Sequence, residues 1–289
     1  MRLGALLLVG LTLAAPASIG QTTAPTTVPT TPKGFDDAQT FVFRDLKPEP
    51  LRLHVVQPAR DQPGQRRPAF VFFFGGGWVR GSPERSIGWA RMAAKWGLVG
   101  VVPDYRVRDR FGGTPADCVA DARAALRFVQ AHAHELGIDP ARMIVGGSSA
   151  GGHVALWTAI SAPPPGSSPD ESPLLKPAAL VLMSALTDTT EGPYGRRASE
   201  GGYDGAALSP QHHLDARMPP TIMFHGDADK TVPHSQAVDL DRKLRAAGNV
   251  SELVTVPGGS HGFSTDLPEW KDKSRAMIRS FLVRQGLLE

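Results

Sequence analysis

The sequence predicts one α/β domain whose mostly parallel sheet is covered by helices on both faces. Short apolar runs alternate with longer helical runs along the chain, which is typical of such a sheet. The runs AFVFFF, LVGVVP, MIVG, ALVLMS and TIMFH are almost continuously apolar, as expected of strands buried on both faces. With 289 residues, of which 41% are hydrophobic and 20% charged, the chain is long enough for one large domain of this class.

The segment before this domain is predicted to be a signal peptide and a linker. Residues 1–20 place Arg2 before an apolar run that ends in small residues, the layout of a cleavable signal peptide, with cleavage after Ala17 or Gly20. Residues 21–34 are rich in Thr and Pro and are expected to form a flexible linker. We therefore expect a secreted or periplasmic protein without a membrane anchor, whose folded domain spans 35–289.

Eight strands and five helices are predicted in this domain. The first two strands alternate polar and apolar residues and predict an antiparallel hairpin. The predicted strands are 39–45, 51–57, 69–74, 98–103, 143–146, 179–184, 221–225 and 251–256. The predicted helices are 84–96, 115–136, 151–160, 235–247 and 269–284. Thr114 is the expected N-cap of the second helix and Gly137 its expected stop, while residues 186–218 are expected to be a long structureless insertion that forms a small cap.

Composition and charge argue against several classes of partner. The formal net charge is +3, and Lys and Arg are mixed with Asp and Glu, so no basic patch indicates nucleic acid or an anionic membrane surface. Cys118 is the single cysteine, which excludes an internal disulfide. His132 and His134 are two positions apart in a predicted helix and would face different ways, unlike a metal-binding pair. We expect no metal or organic cofactor, and the sequence leaves the oligomeric state open.

The segment GGSSAGG lies between a predicted strand and a predicted helix and matches the pattern G-x-S-x-G through Gly147, Ser149 and Gly151. In this context the serine occupies a strained turn, and its neighbours must be small because the backbone doubles back there. The pattern therefore predicts a nucleophile at Ser149, although a plain glycine-rich turn would look similar. Since a serine hydroxyl is a poor nucleophile without a base, two partners are required downstream, in the order Asp or Glu and then His.

Candidate partners of the serine follow in that order. Asp227 and Asp229 come directly after a buried strand, at the sheet edge where sites of open α/β folds lie. Asp227 follows a glycine and is interpreted as a turn-former, which leaves Asp229 as the candidate that orients a histidine. His261 lies in a glycine-rich loop after the next strand and is the candidate general base. The remaining histidines are interpreted as structural, although those of the insertion, His212 and His213, could line a pocket.

The segment GGGW after a predicted central strand supplies a candidate oxyanion hole. The backbone amides of Gly76 and Gly77, together with that of Ala150, would be the donors that stabilise an oxyanion. A phosphate-binding loop is excluded because no G-K-[ST] follows. Trp78 could form a wall of an acyl pocket or equally be a core aromatic residue.

Taken as a set, these motifs resemble the α/β-hydrolase superfamily, and within it the esterases related to hormone-sensitive lipase and bacterial acetyl xylan esterases. The resemblance rests on GGGW (75–78), DYR (104–106), GIDPARMIVGGSSAGGH (137–153), HGDADKTVP (225–233) and GGSHGF (258–263). In such enzymes the Asp of H-G-x-x-D-x-x-V-P is the triad acid, which matches Asp229. Relatives commonly have His before the three glycines, whereas this chain has Phe74, which puts loop stabilisation in question. The chain also lacks their long N-terminal helical cap, so a fairly open site is expected.

The predicted function is that of a secreted serine esterase that acts on short acyl esters. The resemblance and the expected export suggest acetyl groups on a plant polysaccharide such as xylan. Alternatives within the same class are a feruloyl esterase and a general short-chain carboxylesterase. A catalytically inactive α/β-hydrolase-like binding protein is the alternative of another class, since a fold does not by itself establish an activity.

Overall fold

The computed structural model describes Met1 and residues 34–59, 65–166 and 174–289. The expected signal peptide and nearly all of the expected Thr/Pro-rich linker lie outside the described residues. Among the residues that are described, no helix is long and apolar enough to cross a lipid bilayer.

Eight strands form one sheet in the order β1-β2-β4-β3-β5-β6-β7-β8 within the described part of the chain. The first two strand pairs at the β1 edge are antiparallel and all other pairs are parallel, which confirms the predicted fold class. The strands are β1 Gln39–Arg44, β2 Leu51–Val56, β3 Arg67–Phe73, β4 Val99–Pro103, β5 Ile138–Ser148, β6 Ala179–Met183, β7 Thr221–Gly226 and β8 Ser251–Val256.

Nine α-helices are present in the same part of the chain. They are α1 Ile87–Lys95, α2 Arg108–Phe111, α3 Pro115–Ala131, α4 Ala150–Ala159, α5 Gly192–Glu200, α6 Gly205–Leu208, α7 His234–Ala246, α8 Phe263–Asp266 and α9 Pro268–Arg284. Thr114 is the N-cap of α3, as predicted, and forms a capping box with Asp117. The predicted end of α3 was wrong, because the helix stops at Ala131 and the next residues form separate turns. Gly137, with a left-handed φ of 64°, ends those turns.

Strand β5 is longer than its apolar run predicts. It begins at Ile138, although Asp139, Pro140 and Arg142 interrupt the apolar pattern. Ile138 lies opposite Arg67 at the start of β3, and the register shifts before the regular ladder begins at Ala69. The polar residues are tolerated because this end of the strand lies at the surface rather than between two helical layers.

The insertion at 186–218 is not structureless, so that part of the prediction was wrong. It contains α5, α6 and a short 3-10 helix at Pro210–His212. The side chain of Asp204 caps α6 by accepting a hydrogen bond of 3.1 Å from the Ala206 amide. Ala198 and Leu208 are buried against α3, and this local apolar cluster explains why the segment adopts helices. The two short helices have few apolar positions, which is why periodicity failed to indicate them.

The core lies on both faces of the sheet. On one face α3 and α4 bury residues such as Leu126 and Trp157, and on the other α1 and α9 bury residues such as Met92 and Phe281. The strands between them are nearly inaccessible, as the continuous apolar runs predicted. This rigid sheet fixes the loops that leave its carboxyl edge.

Candidate active site

Four loops that carry the candidate residues leave the carboxyl edge of neighbouring parallel strands. They follow β3, β5, β7 and β8 and contain GGGW, Ser149, Asp229 and His261 respectively. Strand β3 lies between β4 and β5, so chain order reverses there. Ligands of open α/β folds bind outside the carboxyl ends of strands at such a reversal. The topology therefore places Ser149 and the GGGW loop side by side.

Ser149 occupies the strained turn that the sequence pattern predicts. Its φ of 55° and ψ of −123° are unusual for a residue with a side chain. The turn is possible because a Cβ atom on Gly147 would lie 2.2 Å from the Gly151 carbonyl oxygen, and one on Gly151 would lie 2.3 Å from that of Phe73. The Ser149 amide donates to the Met183 carbonyl oxygen at 2.9 Å, which anchors the turn to β6. The serine is 8% exposed and is followed directly by α4.

Asp229 and His261 are in direct contact. Nδ1 of His261 lies 2.7 Å from Oδ2 of Asp229, and the other carboxylate oxygen accepts from the amides of Thr231 at 2.8 Å and Val232 at 3.0 Å. Burial alone would raise the pKa of the Asp229 carboxyl, but hydrogen bonds from His225, His261 and the two amides outweigh burial and hold this pKa well below its usual range. Asp229 is therefore ionised at neutral pH and can orient the imidazole.

His225 is a residue of this cluster whose role sequence reasoning missed. Its Nε2 lies 3.1 Å from Oδ2 of Asp229 and 2.9 Å from the carbonyl oxygen of Val232. Both neighbours accept hydrogen bonds, so Nε2 must carry the proton and donate. His225 is 1% exposed, so it holds the carboxylate from within the core. The motif H-G-x-x-D places His225 four residues before Asp229 and is the sequence feature that could have indicated this contact.

Asp227 is placed as a loop-former, apart from the imidazole. Its Oδ1 accepts from the Gly258 amide at 2.7 Å, which ties the β7 loop to the loop that carries His261. The two carboxylates therefore have different roles: Asp229 contacts the imidazole, and Asp227 holds the backbone of the loop that carries His261.

The GGGW loop has the conformation that an amide-donating loop needs. Gly76 and Gly77 have φ values of 152° and 63°, and a Cβ atom on Gly76 would lie 1.7 Å from the Arg80 carbonyl oxygen. Val79 and Arg80 both donate to the Gly76 carbonyl oxygen, which closes the loop. Within the described residues, the amides of Gly76, Gly77 and Ala150 donate to no other group of the chain. Such amides are available to an oxyanion.

The chain is similar to a known protein family and to solved esterase structures. The BD-FAE family model matches residues 53–165 and 195–244, which is more than half of the chain. The chain belongs to the BD-FAE family. It also has the α/β-hydrolase fold of solved esterases: it is similar to the propionate-bound structure of Est2 from the Planctomycetes species Thermogutta terrifontis, with 36% identity, a TM-score of 0.79, and coverage of 88% of this chain and 96% of that one.

Curated relatives of this BD-FAE chain are also esterases. It is 28% identical over 246 residues to ethyl acetate hydrolase of Pseudomonas putida, covering 76% of this chain and 73% of that protein. It is 27% identical over 248 residues to Esterase LipC of Mycobacterium tuberculosis, covering 74% of this chain but 58% of LipC. The chain thus spans little more than half the length of LipC. The names of these proteins do not mention xylan, so they show no specific likeness to xylan esterases.

Phe74, the residue directly before the three glycines, is held by aromatic packing. The Phe74 ring stacks on Tyr105 with centroids 4.1 Å apart and an interplanar angle of 9°. The Tyr105 hydroxyl donates to the Phe74 carbonyl oxygen at 2.6 Å. Gly81 approaches the ring so closely that a Cβ atom there would lie 2.7 Å from Phe74. The loop of this BD-FAE protein is therefore ordered by a buried stack.

A buried ion pair beside this stack also holds the loop. Arg110 binds the carboxylate of Asp104 through two hydrogen bonds of 2.6 and 3.0 Å and donates to the Gly81 carbonyl oxygen at 3.2 Å. Both side chains are almost inaccessible. The bidentate geometry fixes α2 against the end of β4, and through Gly81 it fixes the far end of the GGGW loop.

Trp78 lies in the core behind the loop. It is 2% exposed and packs edge-on against His153, with centroids 4.8 Å apart, and against Tyr194 at 5.7 Å. Of the two alternatives, this packing favours a core aromatic residue over a wall exposed to substrate. Among the described residues, neither His212 nor His213 forms a hydrogen bond with the loops that carry Ser149, Asp229 and His261. His213 instead forms a hydrogen bond with the Ala206 carbonyl oxygen within the insertion.

Helix α5 of the insertion lies beside the GGGW loop, which the sequence did not indicate. Its Tyr194 ring packs edge-on against Trp78 with centroids 5.7 Å apart, and Nη1 of Arg197 donates to the Gly77 carbonyl oxygen at 3.3 Å. The structure thus joins Asp229 to His261 by a hydrogen bond, whereas the hydrogen bonds of the described residues include none between His261 and Ser149. Among the described residues, no three His, Cys, Asp or Glu side chains form a group that could hold a metal ion.

Proposed function

We propose that this protein is a serine esterase that hydrolyses short acyl esters through Ser149, His261 and Asp229. The contact of 2.7 Å between Nδ1 of His261 and Oδ2 of Asp229 carries the proposal. With Nδ1 engaged by an ionised carboxylate, Nε2 of the ring is left as the basic nitrogen that can take the serine proton. Ser149 presents its hydroxyl at a nucleophile elbow, which is the partner that such a histidine requires.

The proposed reaction has two halves. Ser149 Oγ attacks the ester carbonyl while His261 takes its proton, and the proton then passes to the leaving alcohol as the acyl-enzyme forms. Water attacks the acyl-enzyme in the second half, with His261 again as the base. The amides of Gly76, Gly77 and Ala150 stabilise the negative oxygen of both tetrahedral intermediates. No step needs a metal ion or an organic cofactor.

Two observations support a short acyl group. The similar esterase Est2 was solved with propionate and with butyrate bound, and a second relative is named for ethyl acetate. In this chain the buried ring of Tyr194 packs against Trp78 of the GGGW loop and reduces the space beside that loop. A long acyl chain would have to displace this ring.

For the natural substrate we propose an acetyl ester on a plant polysaccharide such as xylan, encountered outside the cytoplasm. The motif resemblance and the signal-like sequence of residues 1–20 support this assignment. A feruloyl esterase is the competing assignment, and an acyl group of that size would need room next to Tyr194.

Hydrolysis of p-nitrophenyl esters from acetate to octanoate tests the activity. We expect the highest kcat/KM for acetate to butyrate and a loss of at least about 10³-fold in Ser149→Ala. Ser148→Ala is the matched control, because this neighbouring serine belongs to β5, and it should remain active. A folded wild-type protein that turns over none of these esters would instead support the inactive binding protein.

Acetate and ferulate release from acetylated, feruloylated arabinoxylan tests the natural substrate. We expect acetate release that disappears in Ser149→Ala. Release of ferulate alone would replace the acetyl assignment with the feruloyl one. Release of neither acid, together with fast turnover of small esters, would indicate that the protein is a general short-chain carboxylesterase.

A further inference from the structure

A cavity of about 130 Å³ lies against the GGGW loop. Its walls are residues 77–79 of that loop, the turn at 112–115 that leads into α3, and the carboxyl-terminal half of α5. The start of the loop is close to the nucleophile, because a Cβ atom on Gly75 would lie 3.2 Å from Cβ of Ser149. Two further residues of chain span at most about 7 Å, so a substrate group a few bonds from an ester carbonyl at Ser149 can reach this cavity.

Arg197 of α5 is held at the wall of this cavity. Its Nη1 donates to the Gly77 carbonyl oxygen at 3.3 Å, and its guanidinium carbon lies 5.3 Å from the centre of the Tyr194 ring, which packs on Trp78. A Cβ atom on Gly77 would lie 2.6 Å from Nη1, so the glycine leaves the space that the guanidinium occupies. The cation is thus fixed beside a residue whose amide is a candidate oxyanion donor.

The charges around the cavity leave Arg197 without a carboxylate partner. The charged side chains that line it are Arg108, Arg197 and Glu200. Glu200 pairs with Arg108 at 3.4 Å, and both of these side chains are more than half exposed. Among the described residues Arg197 forms no ion pair, and its one hydrogen bond goes to an uncharged carbonyl oxygen. The lining therefore carries one net positive charge.

A carboxylate is the group that suits this half-buried arginine. A guanidinium has five N–H donors in a planar fork that matches the two oxygens of a carboxylate. The Gly77 carbonyl oxygen occupies a donor of Nη1, which leaves Nε and Nη2 for a bidentate contact. Arginine also keeps its charge at every pH at which the protein is folded. The cavity therefore favours an anionic group over a neutral group of the same shape.

We propose that this cavity is a substrate subsite in which Arg197 binds a carboxylate carried by the ester. The inference rests on the proposed esterase function and adds a substrate class to it. The carboxylate belongs either to the acyl part, as in a monoester of a dicarboxylic acid, or to the alcohol part, as in an acylated uronic acid. Arg197 acts through binding and transfers no proton.

Pairs of esters with similar shape and different charge test the subsite. For the alcohol part the pair is 4-acetoxybenzoate and 4-acetoxybenzamide, and for the acyl part it is monoethyl succinate and ethyl 4-methylpentanoate. The ratio of kcat/KM for the charged ester to that for its neutral partner cancels any effect common to both. We expect this ratio to fall about tenfold in Arg197→Gln for at least one pair, and the pair that responds identifies the part of the ester that enters the cavity.

Arg196→Gln is the matched control for this variant. Arg196 is exposed on the same helix and lines a different groove, beside Thr190, and its replacement changes the net charge equally. Its ratios should equal those of wild type, and equal thermal unfolding midpoints of the three proteins establish that the fold is retained. Equal ratios in wild type and Arg197→Gln for both pairs would overturn the inference, even if turnover of all esters fell together, since Arg197 would then only hold the loop.

Calorimetric binding of 4-acetoxybenzoate to Ser149→Ala provides a readout that does not depend on turnover. We expect Kd to rise about tenfold when Arg197→Gln is added, and to change less than about twofold when Arg196→Gln is added instead. Equal Kd values in these proteins would also overturn the inference. A wild type that hydrolyses none of the esters would refute the proposed function, whereas the binding measurement still decides whether Arg197 holds a carboxylate.

Discussion

Oδ2 of Asp229 lies 2.7 Å from Nδ1 of His261. Among the side-chain hydrogen bonds of the described residues, this is the only one that His261 forms. The same oxygen also accepts from Nε2 of His225 at 3.1 Å, and Oδ1 accepts two backbone amides. All four partners of the carboxylate therefore donate. A group with two acceptor atoms is required at this position.

Asp229→Asn should be nearly inactive. Asparagine offers one acceptor oxygen and turns the other end of the side chain into a donor, so it cannot satisfy His225, His261 and the amides together. We expect kcat for p-nitrophenyl acetate to fall about 10³- to 10⁴-fold with little change in KM, because the imidazole loses its orientation and tautomer. Steady-state kinetics measures the effect.

Asp227→Asn is the control for that variant. Among the described residues, the Asp227 carboxylate accepts one hydrogen bond, from the Gly258 amide, and the side-chain oxygen of an asparagine can accept the same bond. We expect kcat within about threefold of wild type. Equal losses in the two variants would contradict the assignment of Asp229 as the orienting acid.

The parts of the site that sequence predicted are those whose geometry is local. Gly147 and Gly151 indicated the elbow because a sharp turn excludes Cβ atoms, and Asp229 was chosen over Asp227 from their neighbours in the chain. The fold class followed from apolar strands, since burial on both faces leaves a continuous pattern. These features depend on a few adjacent residues, so one sequence is enough to detect them.

The parts that sequence missed depend on contacts between distant segments. Tyr194 meets Trp78 only because the insertion folds back over the sheet, and no spacing rule connects the two residues. The stack of Phe74 on Tyr105 joins two strands and could not be inferred from an absent histidine. Strand β5 begins early because a pairing with β3 outweighs the polar character of its first residues.

Tyr105→Phe should loosen the GGGW loop. The variant keeps the stack on Phe74 but loses the hydrogen bond of 2.6 Å to the Phe74 carbonyl oxygen, which lies in the core. We expect the free energy of unfolding to fall by about 1–2 kcal/mol, together with a several-fold lower kcat because the amide donors are less well fixed. Urea denaturation and kinetics measure the two effects. Stability and kcat equal to those of wild type would show that the stack alone orders the loop.

Asp104→Asn should be strongly destabilising. Arg110 is almost inaccessible and would lose one of its two charge-assisted hydrogen bonds to Asp104, although Glu49 still binds it at 3.0 Å. A hydrogen bond to a charged group typically contributes about 1.5–3 kcal/mol, and we expect a loss of that size because Glu49 keeps the charge paired. Glu200→Gln is the control, because Glu200 and Arg108 form an exposed pair at 3.4 Å that should contribute at most about 1 kcal/mol. Chemical denaturation of both variants provides the comparison, and similar losses would contradict the structural role of the buried pair.

Acid should destabilise the protein through His153, which lies beneath Trp78. Burial lowers the pKa of His153 to about 4, although its hydrogen bond to the Leu208 carbonyl oxygen opposes the shift. Nε2 is held by that carbonyl at 2.8 Å, whereas Nδ1 is buried and has no partner in the described residues, so a second proton would be unpaired in the core. The unfolded chain, with an ordinary histidine pKa near 6.5, takes up this proton first. Stability is therefore full above about pH 6.5 and declines as the pH falls towards 4.

The shift of His153 corresponds to a loss of about 3 kcal/mol across that interval. Burial lowers the pKa of His54 to about 4 as well, so a similar contribution from His54 remains when His153 is replaced. We expect His153→Gln, whose amide can still donate to Leu208, to lose about half of the pH dependence of the unfolding free energy between pH 7 and pH 4.5. Urea denaturation of wild type and variant at several pH values measures it. Parallel curves for the two proteins would show that His153 is not the group that titrates on unfolding.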